Sequence, residues 1–120
     1  MKPAIKEVRD AVGLVRHLIG HARDGQVFVV SAHGILSPTA LRQMLRGRIA
    51  EHEDELQHRV GLAVWPSTDA AGHQVLTGLT MDGTRYTEPV EDRRLTLEAM
   101  RLILRGRIAE HDDEHGNGEP

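Results

Sequence analysis

Apolar positions along the chain follow two rhythms, helical spacing and short continuous runs, and the elements can be read where one gives way to the other. Residues 3–24 place Ile5, Val8, Val12, Val15, Ile19 and Ala22 at spacings of three and four with charges between them. That spacing, closed by Asp24-Gly25, predicts an amphipathic helix with a glycine stop. QVFVVSAHG, residues 26–34, is a β-branched and aromatic run too short for a helix, and predicts a strand buried on both faces at the centre of a sheet. Ser37 before Pro38 pairs an N-cap with a first-turn proline and opens a second helix that runs to about Arg59. VGLAVWP (60–66), QVLTGLT (74–80) and TRYTEPV (84–90) follow as strands. Asp82-Gly83 makes a hairpin turn and Pro89 marks a strand end or an edge. Asp92 or Thr96 caps the last helix, and the tail, which has no apolar residue, frays. The expected fold is α+β in the order α-β-α-β-β-β-α, with three helices and a mixed or antiparallel sheet of about four strands. Residues 1–115 form one domain and 116–120 the tail.

One stretch occurs twice. Residues 40–55 read ALRQMLRGRIAEHEDE and residues 99–114 read AMRLILRGRIAEHDDE, identical at twelve of sixteen positions at an offset of 59, with no recurrence of the flanks at that offset. Leu41, Leu45, Ile49, His52 and Leu56 share one helical stripe, as do Met100, Leu104, Ile108, His111 and His115. Gly47 and Gly106 sit mid-helix, where glycine costs about 1 kcal/mol relative to alanine, so each points to a close approach of another backbone. Each copy is basic first and acidic last, against the preference of the helix dipole. A helix of this kind suits an antiparallel partner of the same sequence, in the same chain or in a second one, with arginines meeting carboxylates and the glycines at the crossing. The expected interaction surface is Arg42, Arg46, Gly47, Arg48, Glu51 and Glu55 in one copy, and Arg101, Arg105, Gly106, Arg107, Glu110 and Glu114 in the other.

Composition narrows the chemistry. Without cysteine the chain has no disulfide, thiolate metal site or cysteine nucleophile, and a reducing, cytoplasmic setting is expected. The charged N-terminal stretch reads as neither signal peptide nor membrane anchor. Ser31-Ala32-His33-Gly34, with Ser37, Thr39 and an acid such as Asp69, can be assembled into a triad on paper. It has no G-x-S-x-G elbow, so the expectation is a protein that is not an enzyme and has no catalytic residues. His17 and His21 read as surface residues. Two alternatives remain. His52 with Glu55 and His111 with Glu114 offer imidazole and carboxylate to zinc, manganese or iron, although neither HExxH nor a di-iron ExxH pair is present. An antiparallel crossing at the glycines would hold the two histidines about 15 Å apart, so one shared ion and the salt clamp exclude each other within a helix pair. The arginine-rich halves could instead meet nucleic acid, against a net charge of −3 and adjacent carboxylates that repel phosphate. The leading expectation is a non-catalytic protein-protein interaction or homo-oligomerisation module, binding itself as a homodimer or another protein, with no cofactor and no membrane.

Overall fold

The computed structural model describes residues 5–31, 37–57, 64–90 and 95–115. They form the unit βββα twice over. Strands β1 (Ile5–Arg9), β2 (Val15–His21) and β3 (Val27–Ser31) precede helix α1 (Pro38–Leu56). Strands β4 (Val64–Thr68), β5 (Gln74–Leu79) and β6 (Arg85–Pro89) precede α2 (Leu97–Glu114). Each triplet is a separate antiparallel meander in sequence order, with β2 and β5 central. The α+β class holds, but three helices on one four-stranded sheet are replaced by two helices and two three-stranded sheets.

The helix expected over residues 3–24 is a hairpin, β1–β2. Its turn is built by Asp10, whose carboxylate accepts from the backbone N–H groups of Val12 and Leu14 while Gly13 takes φ +88°. The apparent helical stripe dissolves because the strands bury alternate residues. Leu18, Gly20 and Ala22 face α1, and Ile5 lies cross-strand from Gly20. The 26–34 run is correct as a strand and wrong in place. β3 is an edge strand with one side to solvent, its Val27 and Val29 nearly half exposed. The β4 reading is shifted toward the C-terminus, with residues 60–63 outside the described ones. Ser37 and Thr96 cap their helices by accepting from Ala40 N–H and Ala99 N–H, an arrangement worth about 1 kcal/mol per helix. Asp92, the alternative cap, and the tail from residue 116 lie outside the described residues.

Once the hairpins are seen, the repeat extends through the whole unit. Asp10-Ala11 with Gly13 recurs as Asp69-Ala70 with Gly72 at the offset of 59. Leu18, Gly20, Asp24-Gly25 and Phe28 recur as Leu76, Gly78, Asp82-Gly83 and Tyr86 at an offset of 58. The missing residue is Arg16: the β1–β2 register slips between Val8 and Arg9, whereas β4 and β5 pair without a break. That bulge, with one residue more between Tyr86 and Thr96 than between Phe28 and Ser37, hides the repeat from comparison at a fixed offset.

Each half closes its own core. Leu18, Ala22, Val30, Leu41, Leu45 and Ile49 form one, and Leu76, Met100, Leu104 and Ile108 the other. Among the described residues, α1 packs on its own sheet and on α2, and α2 on its own sheet and on α1, giving the layer order sheet, helix, helix, sheet. No helix among the described residues is long and apolar enough to cross a membrane.

Candidate functional site

The stripe Gln43, Gly47, Ala50, Asp54 has spacings of four, three and four, and it lies on the side of α1 away from the sheet. Its counterpart on α2 is Leu102, Gly106, Ala109, Asp113. The two helices run antiparallel with these stripes in contact. A Cβ on Gly47 would lie 1.9 Å from the carbonyl oxygen of Leu102, and one on Gly106 1.8 Å from that of Gln43. Neither distance is possible, so both glycines are required by the close backbone approach.

Around this crossing, four arginines each grip one carboxylate through Nε and Nη2. Arg42 donates to Glu110 at 2.7 and 3.2 Å, and Arg101 to Glu51 at 2.8 and 3.1 Å. Closer to the glycines, Arg46 donates to Asp113 at 3.0 and 3.1 Å, and Arg105 to Asp54 at 3.0 and 2.9 Å. The planar guanidinium fork matches a carboxylate in this side-on geometry, which lysine cannot reproduce. The hydrogen bonds it donates to Glu110 hold the Arg42 guanidinium pKa above its ordinary value, and those to Glu51 do the same for Arg101. The outer pairs are wet, whereas the inner ones are 8–12 % exposed. Arg46 Nη1 is buried without a hydrogen-bond partner. Each acidic helix end lies beside the basic start of its neighbour, which supplies the cations that its own dipole lacks.

The sequence-predicted residues divide accordingly. Arg42, Arg46, Gly47, Glu51, Arg101, Arg105, Gly106 and Glu110 meet across the helix pair within one chain. Arg48 and Arg107 turn to their own sheets: Arg48 lies over the Phe28 ring at 5.9 Å, and Arg107 lies over Tyr86 at 5.0 Å and pairs with Glu88. Glu55 and Glu114 are exposed, Glu114 adding its charge to the field at Arg42. The inner carboxylates, Asp54 and Asp113, were missed. The signal for them was their place in the stripe that contains the glycines.

His52 and His111 serve a different purpose. His52 Nε2 donates to Asp24 at 2.8 Å, and Glu53 accepts from the Arg23 N–H, so the last turns of α1 are latched to the β2–β3 turn. In the second half His111 Nε2 donates to Asp82 at 2.9 Å and Asp112 accepts from the Met81 N–H. The hydrogen bond from His52 lowers the pKa of Asp24. Asp82 is held well below the usual carboxylate range by bonds from Thr80, His111 and Thr84. Where Phe28 only edges the His52 ring, Tyr86 donates its hydroxyl to His111 Nδ1 at 3.1 Å. That bond fixes the tautomer with the proton on Nε2.

Neither histidine gathers the ligands of the metal alternative. Among the described residues no three His, Asp or Glu side chains converge on one point. The described members of the paper triad are engaged elsewhere. Asp69 is engaged by the Ala71 and His73 N–H groups of its own turn, Ser37 caps α1, and His33 lies outside the described residues. No family model, curated protein or solved structure matches the chain.

Proposed function

We propose that the protein is a small non-catalytic association module in which the paired helices are the scaffold and the outward face of the first sheet is the contact surface. The observation that supports this is the contrast between equivalent positions of the two copies. On the first sheet Val8, Val27 and Val29 point away from α1 and are 38 %, 48 % and 46 % exposed, with Ile19 cross-strand from Val29. The same places on the second sheet hold Ser67, Arg85, Thr87 and Thr77, while the apolar residues of that face, Trp65, Val75 and Leu79, stand where the first sheet has Lys6, His17 and His21. One βββα unit thus demonstrates that the fold does not need valine there. Exposed apolar side chains grouped on one face are a feature of contact surfaces, while single ones are ordinary. A second copy of the chain, face to face, is the simplest occupant, and a patch of three short strands suits a weak, concentration-dependent contact rather than an obligate one.

The nucleic-acid alternative is less well supported, because the four arginines on which it leans are each committed to a carboxylate. The test grafts the second sheet onto the first, combining Val8→Ser, Val27→Arg and Val29→Thr. Sedimentation at rising concentration should show the wild type self-associating and the grafted chain monomeric with an unchanged circular dichroism spectrum. A wild type that stays monomeric up to about millimolar concentration, where even weak contacts register, would remove this reading.

A further inference from the structure

The helix pair has a property that does not depend on the sheet face. Apart from Gln43 against Leu102, the residues that meet are the same in both copies, so α1 presents to α2 nearly the set of groups that α2 presents to α1. Among the described residues the halves also touch chiefly through the two helices. Each core, each cap and each histidine latch belongs wholly to one half. Opening the helix pair therefore leaves both sheet-side cores closed and exposes Ala50, Leu102 and Ala109, which the exchanged pair buries again.

We propose that the chain exchanges halves with a second copy of itself, α1 of one molecule pairing with α2 of its partner and the reciprocal pair closing the dimer. The exchange conserves every contact at the crossing: Arg42 still meets Glu110, Arg46 meets Asp113, and the glycines still admit the facing backbone. What changes is which molecule supplies the facing helix, at the cost of one molecule's independent translation, so concentration sets the balance. Closure is the expected end, since two chains joined by one exchanged pair keep one α1 and one α2 between them to offer. Exchange is slow, because four two-pronged ion pairs must open before new ones form, unlike a sheet-face contact, which forms and parts freely.

Two charge-inverted chains test this directly. One carries Arg42→Glu with Arg46→Glu, and the other carries Glu110→Arg with Asp113→Arg. Each alone sets like charges against like within its own helix pair. Mixed and refolded together, they form a dimer in which one helix pair is native and the other is native with its charges inverted. Native mass spectrometry should show the 1:1 heterodimer as the main species in the mixture and at least ten times less dimer in either chain alone. If the variants are unfolded separately, mixing must restore their circular dichroism. Two monomers side by side in the mixture, or two chains still unfolded after mixing, would overturn the proposal. In the wild type, isotope-labelled and unlabelled chains refolded together at high concentration should give a half-heavy dimer, and no half-heavy dimer would count equally against exchange. The valine-grafted chain, monomeric while it stays folded, should give the same half-heavy dimer once refolded at high concentration, which separates this inference from the failure of the sheet-face reading.

Discussion

The two halves share a backbone plan but differ in what they place beside it. Around His52 the first half has Ala22, Phe28, Val30 and Leu56, whereas around His111 the second half has Thr80, Tyr86, Glu88 and His115. The outward sheet faces place their apolar residues differently, valines in the first half standing where the second has Ser67, Arg85 and Thr87, and Lys6, His17 and His21 where it has Trp65, Val75 and Leu79. Between them the helix faces that meet are nearly identical, Gln43 against Leu102 being the exception. A core position is constrained by neighbours that can change with it inside one half. A position at the crossing must suit a twin, so it has no such freedom.

The comparison breaks most visibly at the inner ion pairs. Arg46→Ala strands Asp113, and Arg105→Ala strands Asp54, in a nearly dry setting, so each should cost about 3 kcal/mol in urea unfolding. Arg42→Ala and Arg101→Ala, at the wet ends, should each cost about 1 kcal/mol or less. The two inner changes should agree to within about 1 kcal/mol, Arg46→Ala being the milder because it also removes the unpartnered Nη1. A large inequality would mean that the symmetry is geometric and not energetic.

A smaller change turns one half into the other. Tyr86→Phe leaves His111 with the arrangement seen at His52, and should cost about 1 kcal/mol, the net worth of one hydrogen bond. Phe28→Tyr should recover part of that amount in the first half, with the His52 imidazole NMR signals moving toward those of His111. Unmoved signals would mean that the two latches are not interchangeable.

The smallest effects come with acid. Asp24 and Asp82 have lowered pKa values in the fold, so their contribution is present above the ordinary value of 3.8 and fades as pH falls below it. Unfolding midpoints from about pH 6 to 2.5 should therefore fall in the wild type. Asp82→Asn should flatten that decline more than Asp24→Asn, because Asp82 is held by Thr80 and Thr84 as well as by its histidine. Equal acid limbs would show that those threonines add nothing.

The helices, their caps and the antiparallel logic of their charges are legible in the sequence because 3.6-residue periodicity, the Ser-Pro start and a mid-helix glycine each have one mechanical meaning. The first hairpin is not. Ile5, Val8, Val12, Val15 and Ile19 happen to fall at helical spacing, and only the Asp10–Gly13 turn, echoed at Asp69–Gly72, argues against it. Whether β3 is central or at an edge is decided by which strands pair, which composition does not record. Asp54 was hidden among three neighbouring acids, Glu51, Glu53 and Glu55, until the facing backbone singled it out.

The self-matching stripe has a consequence for how such a chain can grow. LRGRIAEH is encoded twice, and recombination between the two stretches would yield in-frame chains with one unit or with three. A chain with an even number of units can silence every stripe internally. A chain with an odd number cannot, and must leave one glycine-and-charge face seeking company. Parity in the count of βββα units thus becomes a switch between a self-contained molecule and a compulsory assembler, set by gene length without altering any residue at the crossing.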